Sequence, residues 1–289
     1  MEACYGQLKI GFYKEKCDYE DVESTVNKVV TEIFATDRLF AAALLRMQFH
    51  DALLLYGCDA SLLLDGDTSE KKAVANLNVR GFEIIDKAKT ALEQACPRIV
   101  SCADIIAMAT RDAVALSGGS SVRYEVETGR RDGLTSEQAN VDLPGPQIPV
   151  SNAIEFFVNK GLSDIDMIDF NNGSADPTMD PALVETLKSQ CPENANGQGD
   201  VINLDQGPSS SNVVDNSFYQ QIHLNKGILE IDQKLALDSS TTDVVNTLAI
   251  DGVAFLNLFG KSMVKMGGIG VLTGTDGQIR LKCSSVNAI

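Results

Sequence analysis

The sequence predicts a mainly α protein with a little β, and three observations carry that prediction. Apolar residues recur at helical spacing through most of the chain, capping residues bracket those stretches, and strand-like runs are few. In GFEIIDKAKTALEQAC, Ile84, Ile85, Ala88, Leu92 and Ala95 share one face and the charges take the other. Ser101 opens SCADIIAMATRDAVAL as an N-cap, with Asp104 three residues on as its capping-box partner. SNAIEFFVNKG ends on Gly161, a C-cap, and Asp180-Pro181 reads as an N-cap and first helical residue. In TTDVVNTLAIDGVAFLNLFGKSMVKMG, Val245, Leu248, Val253, Leu256 and Met263 keep helical spacing. The β content is VRYEVETG and a hairpin in GVLTGTDGQIRLKC around its Thr-Asp-Gly turn. Stretches rich in Pro, Gly, Ser and Asn at 140–150 and 192–213 read as loops.

A chain of 289 residues suffices for one large domain or two lobes. Its net charge of −16 argues against nucleic acid, which needs clustered Lys and Arg, and against an anionic membrane surface. No apolar run approaches the roughly 18 residues of a transmembrane helix. The opening MEACYGQLKIGFYKEKC lacks a basic end followed by an apolar stretch, so it does not read as a signal peptide. Seven cysteines are present, at 4, 17, 58, 96, 102, 191 and 283. None forms a C-x-x-C pair, which removes the usual zinc and thioredoxin spacings and covalent haem attachment. The odd count leaves at least one cysteine unpaired within the chain.

Chemistry concentrates in LLRMQFHDALLLYGCDASLLLD, residues 44–65, which holds one of the two histidines. Arg46 and His50 stand four residues apart, on one face of a helix. A histidine neutral near pH 7 takes and returns a proton, and a neighbouring guanidinium lowers its pKa and stabilises a developing anion. On spacing alone, the structural reading of such a pair is the stronger. Asp51, Asp59 and Ser61 bracket a turn at Gly57, and Glu70 follows; hard oxygen donors around a glycine can bind Ca²⁺. The spacing is not that of an EF-hand, so a helix end with solvated acids is the stronger local reading.

RMQFHDALLLYGCDASLLLD resembles the distal haem motif of class III plant secretory peroxidases, the horseradish type. The likeness continues through GFYKEKC, TSEKKAVANLNVRGFEIIDKAKTALEQACPRIVSCADIIAMATRDAVALSGG, YEVETGRRDG, LPGP, FVNKGLSDIDMI, DPTMDP, VDNSFYQQI, GILEIDQKLALD and TGTDGQIRLKCSSVN, in order over nearly the whole chain. The resemblance implies the haem-peroxidase fold. That is one domain of two helical lobes around a haem cleft, about 1–146 distal and about 147–289 proximal, with a small β-hairpin. It implies oxidation of phenolic donors by H2O2 with haem b and Ca²⁺, in a monomer that binds neither nucleic acid nor membrane. His50 would be the distal proton carrier, Arg46 its charge-stabilising partner, and Asn76 the group fixing the far nitrogen of His50. Phe49 would line the haem edge and Pro144 the donor site. Asp51, Gly57, Asp59 and Ser61 would hold a distal Ca²⁺, with Glu70 acting through water, while Asp205 and Asp215 would belong to a proximal Ca²⁺. Cys17–Cys96 and Cys102–Cys283 would be bridges, implying an oxidising compartment and a secreted protein of the cell wall or vacuole.

The chain departs from that pattern at identifiable places. GLSDIDMI passes straight into DFNNGSADPTMDP near 168–169, and about twenty residues, roughly a five-turn helix with its loop, are absent there. The proximal haem histidine falls in that gap, so no proximal ligand is found. Asp232 matches the carboxylate that would face the missing imidazole; if buried, its charge is costly. His223 reads as a surface or helix-terminal residue. Ala52 stands where the family has a cysteine, which leaves Cys58 without a partner; the partner of Cys191 falls in the gap and Cys4 has none in the family pattern, so all three are expected as free thiols. The loops 53–57 and 205–215 are lengthened, which alters both Ca²⁺ sites. Asn172-Gly173-Ser174 matches a glycosylation sequon as a pattern. The expectation is therefore a peroxidase-family chain with weak haem binding and little turnover as written. The alternatives are an inactive peroxidase-like helical protein, an interaction or storage protein on the same scaffold, or a truncated gene model.

Overall fold

The computed structural model describes residues 8–17, 21–118, 123–145, 148–162, 178–190, 204–207 and 212–288. Ten α-helices stand among them: α1 (Val22–Phe34), α2 (Phe40–Leu53), α3 (Phe82–Ala95), α4 (Cys102–Gly118), α5 (Val150–Asn159), α6 (Pro181–Gln190), α7 (Ser217–His223), α8 (Glu230–Leu237), α9 (Thr242–Ile250) and α10 (Gly252–Met266). The mainly helical expectation holds. No single described helix is long and apolar enough to cross a membrane.

The chain divides into two units. Unit one comprises residues 1–143 and 263–289, and unit two comprises residues 144–262. In unit one, α1, α2 and α3 all pack on α4. That follows from the α4 sequence, whose ADIIAMAT run is small or apolar on every side apart from Asp104, so the helix is buried all round. Leu44, Met47, Ile84, Ile85, Leu92, Ile105 and Met108 meet around it. Thr110 Oγ1 donates to the Leu44 carbonyl at 3.1 Å and pins α4 to α2. Asp21 caps α1 through the Glu23 and Ser24 N–H groups. The bridges Cys17–Cys96 and Cys102–Cys283 are both formed.

In unit two, α7, α8 and α9 pack on one another and α5 lies on α8. Tyr219, Phe255 and Phe259 form an aromatic row, with ring centroids 5.8 and 5.6 Å apart. Asp180 caps α6 through the Ala182 N–H at 2.8 Å, as its sequence predicts, and Gly161 follows α5 at φ +78°. The helical stretch through 242–266 breaks at Asp251 with a bend of 119°. There the Asp251 carboxylate accepts from the Val253 and Ala254 N–H groups and starts α10.

The β content differs from expectation in its pairing. The two-stranded antiparallel sheet joins β1 (Lys9–Ile10) to β2 (Glu127–Thr128), partners far apart in sequence. Among the described residues of VRYEVETG, only those two are strand. GVLTGTDGQIRLKC forms no hairpin with itself: Leu272 and Gln278 bridge instead to Arg131 and Asp132. Local turn chemistry reads the bend correctly but cannot see a partner more than a hundred residues away.

The capping box is half formed, and the missing half matters more than the cap. Ser101 Oγ accepts from the Asp104 N–H at 3.1 Å. The Asp104 carboxylate turns inward instead. It accepts from Tyr13 Oη (2.6 Å), Gly129 N (2.6 Å), Arg130 N (3.1 Å) and Arg130 Nη1 (2.8 Å). Arg130 in turn donates twice to the Gly267 carbonyl, at 2.9 and 2.6 Å. Breaking a buried pair by removing one partner leaves an uncompensated charge. Asp104→Ala is therefore expected to destabilise by about 3–5 kcal/mol in urea unfolding. Glu185→Ala, which breaks the solvent-exposed Lys188–Glu185 pair, leaves the midpoint unchanged.

Candidate active site

Arg46 and His50 lie in the last two turns of α2, and the i, i+4 spacing brings them into contact. Arg46 Nε–H donates to His50 Nε2 at 3.2 Å, and Arg46 Nη2 donates to the Ala75 carbonyl at 3.3 Å. On the other side, His50 Nδ1 lies 2.6 Å from Asn76 Oδ1. The orientation of that amide is set from behind, because Asn76 Nδ2 donates to the Glu70 carbonyl at 2.8 Å. The oxygen must therefore face the imidazole. His50 carries its proton on Nδ1 and presents a basic lone pair on Nε2 beside the guanidinium.

Burial is the main reason this histidine stays neutral. His50 is 4% exposed, and loss of solvation pulls its pKa down to about 4; Asn76 pushes it back up and the Arg46 charge lowers it further. Phe49 stands edge-on to the imidazole at 5.9 Å. The three residues assigned from the sequence to proton handling thus meet in one place, with Asn76 a third partner that the i, i+4 spacing alone does not reveal.

The acidic residues after His50 are buried, not solvated. Asp51, Asp59, Ser61 and Glu70 are each at most 3% exposed. Ala60 N donates to Asp51 Oδ2 at 3.2 Å and Ser61 N to Asp59 Oδ1 at 2.9 Å. Asp51 Oδ1, the Ser61 hydroxyl and both Glu70 carboxylate oxygens have no hydrogen-bond partner. Desolvation raises all three acids, Glu70 to about 7, and their mutual repulsion adds to the rise of Asp51 and Glu70. Gly57 stands at φ +82° with its Cα pressed against the backbone of Ile269 and Gly270, leaving no room for a side chain. Among the described residues no three His, Cys, Asp or Glu side chains converge closely enough to hold a metal by themselves. A cation here would need carbonyls, the Ser61 hydroxyl and water as well. The orphaned hard oxygens fit such an ion.

In unit two, Asp205 and Asp215 meet around Ser217. Asp205 Oδ1 accepts from Gly207 N at 2.7 Å and from the Ser217 hydroxyl at 3.0 Å, and Asp215 Oδ1 accepts from Ser217 N at 2.8 Å. Partial burial raises the Asp215 carboxyl. Pro144 is half-buried at the first position of unit two. Asp232 is buried at 2% and its charge helps raise the buried Tyr219 hydroxyl to about 12. His223 ends α7 on the surface, as read from the sequence.

Cys58 is a free, buried thiol, raised to about 12 by desolvation, and its S–H donates to the Met266 carbonyl at 3.1 Å. Ala52, where the family pattern has a cysteine, is fully buried. Cys4, Cys191, the sequon at Asn172 and the departure near 168–169 lie outside the described residues.

Sequence reasoning missed four contributors: the Ala75 carbonyl, Ser136, Gly133 and Arg280. Ser136 Oγ accepts from Glu70 N at 3.0 Å. Arg280 is fully buried and donates to the carbonyls of Ala60 (2.8 Å), Cys283 (3.0 Å) and Gly133 (2.7 Å). The only sequence signal for it was a cation between Ile279 and Leu281, in a segment closing on a bridged cysteine.

A helical fold that holds a neutral, oriented imidazole beside a guanidinium has the parts for acid–base chemistry. The particular family follows from comparison. The peroxidase family profile matches residues 26–251, and the chain belongs to that family. It is 46% identical to Peroxidase 60 of Arabidopsis thaliana, over 98% of this chain and 91% of that protein. It is 45% identical to Peroxidase 44 (99% and 94%) and 42% identical to Peroxidase 57 (98% and 94%) of the same plant. The alignment with Peroxidase 60 spans 306 positions, more than the 289 residues of the whole chain, so that relative has residues with no counterpart here.

His50 is expected to titrate near pH 4 when its ring resonances are followed by NMR. Arg46→Leu should move the midpoint up, because it removes a like charge. Asn76→Ala should move it down, because it removes the hydrogen bond that favours the imidazolium. A wild-type midpoint near the free value of about 6.5 contradicts the buried, neutral assignment.

Proposed function

We propose that the Arg46–His50–Asn76 constellation is the peroxide-handling half of a donor:hydrogen peroxide oxidoreductase acting on phenolic donors. The observation that supports this most is the basic Nε2 of His50, held next to the Arg46 guanidinium with its proton fixed on Nδ1 by Asn76. Nε2 accepts a proton from one oxygen of H2O2 and returns it to the other as the O–O bond breaks. Arg46 opposes the negative charge that builds on oxygen during that transfer. Two phenolic donors each give up one electron and one proton, so that H2O2 + 2 ArOH yields 2 H2O and two phenoxyl radicals.

Haem b is the group that the family brings to this reaction. The peroxide side of such a site fits this chain. The iron-ligand side does not: His50 is committed to Asn76 and Arg46, and His223, the other histidine of the sequence, is exposed at the end of α7. Calcium fits better. Asp51, Asp59, Ser61 and a carbonyl of Gly57 would hold it, with Glu70 through water. It would neutralise carboxylates that burial otherwise drives to protonate. Asp205 and Asp215 are the second candidate pair. The two bridges favour an oxidising compartment, in keeping with a secreted protein.

Titration of the purified chain with hemin, followed by the Soret band and by guaiacol oxidation, tests the reading. The expected result is weak binding, no normal five-coordinate spectrum and little turnover, because the axial ligand sets the position and electronics of the iron. Insertion of a relative's segment between Met167 and Asp169, histidine included, is expected to restore both signals. His50→Leu in that restored chain should then abolish turnover while keeping the Soret band.

A further inference from the structure

The acidic loop after α2 is held in a conformation that its own sequence does not favour. Ala60 sits between Asp59 and Ser61 with φ +59° and ψ 23°, in the left-handed region. A side chain there costs on the order of 1–2 kcal/mol against the right-handed form. This one residue sets the directions of both neighbours, so the strain fixes where the Asp59 carboxylate and the Ser61 hydroxyl point. Something must hold it. Ala60 N donates to Asp51 Oδ2, and the Ala60 carbonyl accepts from Arg280 Nη1 at 2.8 Å.

Arg280 comes from the far end of the chain, and every hydrogen bond its side chain makes goes to a backbone carbonyl. The fork spans Ala60, Cys283 and Gly133. Gly133 presses on the Asp59 carboxylate closely enough that no Cβ fits between them. Cys283 is bridged to Cys102, so the fork is anchored covalently to α4. Asp132 fastens the arginine itself, its Oδ2 accepting from Arg280 N at 2.9 Å and its Oδ1 from Ala103 N at 3.0 Å. The guanidinium faces Asp132, Asp59, Asp51 and Glu70 only through space. Its hydrogen bonds do shape; its charge faces the acids without occupying their oxygens, which stay open for another cation.

We propose that Arg280 is a positioning residue of the Asp51–Asp59–Ser61 cation site: its carbonyl fork locks Ala60 in the left-handed turn and so aims the Asp59 and Ser61 oxygens at a bound calcium ion. The assignment rests on the calcium reading given above. A lysine keeps the charge at this place but reaches fewer carbonyls, since an ammonium lacks the planar fork. Loss of a group that orients metal ligands typically weakens the metal by about 10–100-fold.

The test measures Ca²⁺ affinity by competition with a chelator, using the full chain, for wild type, Arg280→Lys and Asp59→Asn. Wild type should bind, Asp59→Asn should lose that binding, and Arg280→Lys should bind at least about tenfold more weakly. Equal affinity of Arg280→Lys and wild type, whatever the change in melting temperature, overturns the positioning role and leaves the calcium reading standing. Wild type that binds nothing, or that binds as well after Asp59→Asn, overturns both. Should Arg280→Lys fail to fold, amide exchange of wild type decides. Ca²⁺ is expected to slow exchange at 59–63 and, with it, at 280–283. Slowing at 59–63 alone overturns the proposal.

Discussion

Unit one depends on a single buried carboxylate. Asp104 enters as the third residue of α4 and binds a tyrosine hydroxyl, two backbone N–H groups and a guanidinium. These partners come from two parts of the chain, Tyr13 and the adjacent Gly129 and Arg130. Tyr13 follows β1, Gly129 follows β2, and Arg130 reaches on to the Gly267 carbonyl just past α10. Three distant segments are thus tied to the helix on which α2 packs, and α2 carries Arg46 and His50. A buried ion is expensive, and it is tolerated here because its oxygens are filled by donors and its charge is paired. Tyr13 records the same economy: burial and the adjacent carboxylate both push its hydroxyl well above the ordinary range.

The acidic loop solves the opposite problem. Asp51, Asp59 and Glu70 are as deeply buried as Asp104 but lack its donors. The fully buried Arg280 is close enough to lower Asp59 and Glu70 but spends its hydrogen bonds on carbonyls. The result is carboxyls raised by desolvation, with Oδ1 of Asp51 and both oxygens of Glu70 unpaired. The same Glu70 that leaves its carboxylate open uses its main-chain carbonyl to orient Asn76, and Asn76 fixes the tautomer of His50. Position of the acid loop and protonation of the histidine are therefore linked through one residue's backbone, over a path of two hydrogen bonds.

Local features were legible in the sequence wherever the cause was local. The caps at Asp180 and Ser101, the Gly161 stop after α5, the i, i+4 contact of Arg46 with His50 and the amphipathic face of α3 depend on neighbours within a few residues. The resemblance to peroxidases supplied Asn76, twenty-six residues beyond His50, which no periodicity connects to it. Failures occurred where the deciding partner was remote. Asp104 looked like half of a capping box because nothing nearby announces Tyr13 or Arg130. GVLTGTDGQIRLKC looked like a hairpin because its bridge partners, Arg131 and Asp132, lie in another segment. Arg280 was invisible for the same reason: its role is defined by Ala60 and Gly133, separated from it by more than half the chain. Burial of Asp51, Asp59 and Glu70 also ran against residue type, since acids are solvated by default.

The intact geometry around His50 says nothing for or against an iron ligand on the opposite side. Every atom that fixes the imidazole belongs to unit one: Arg46 on its own helix, Asn76 and Ala75 on the adjoining turn, Glu70 and Ser136 behind them. The departure from the family pattern falls in the sequence of unit two, near 168–169. The composition is more decisive than the geometry. Two histidines serve the whole chain, one is committed to the Asn76–Arg46 network, and the other ends α7 on the surface. The weak haem binding proposed above rests on that count, however well the first imidazole is placed.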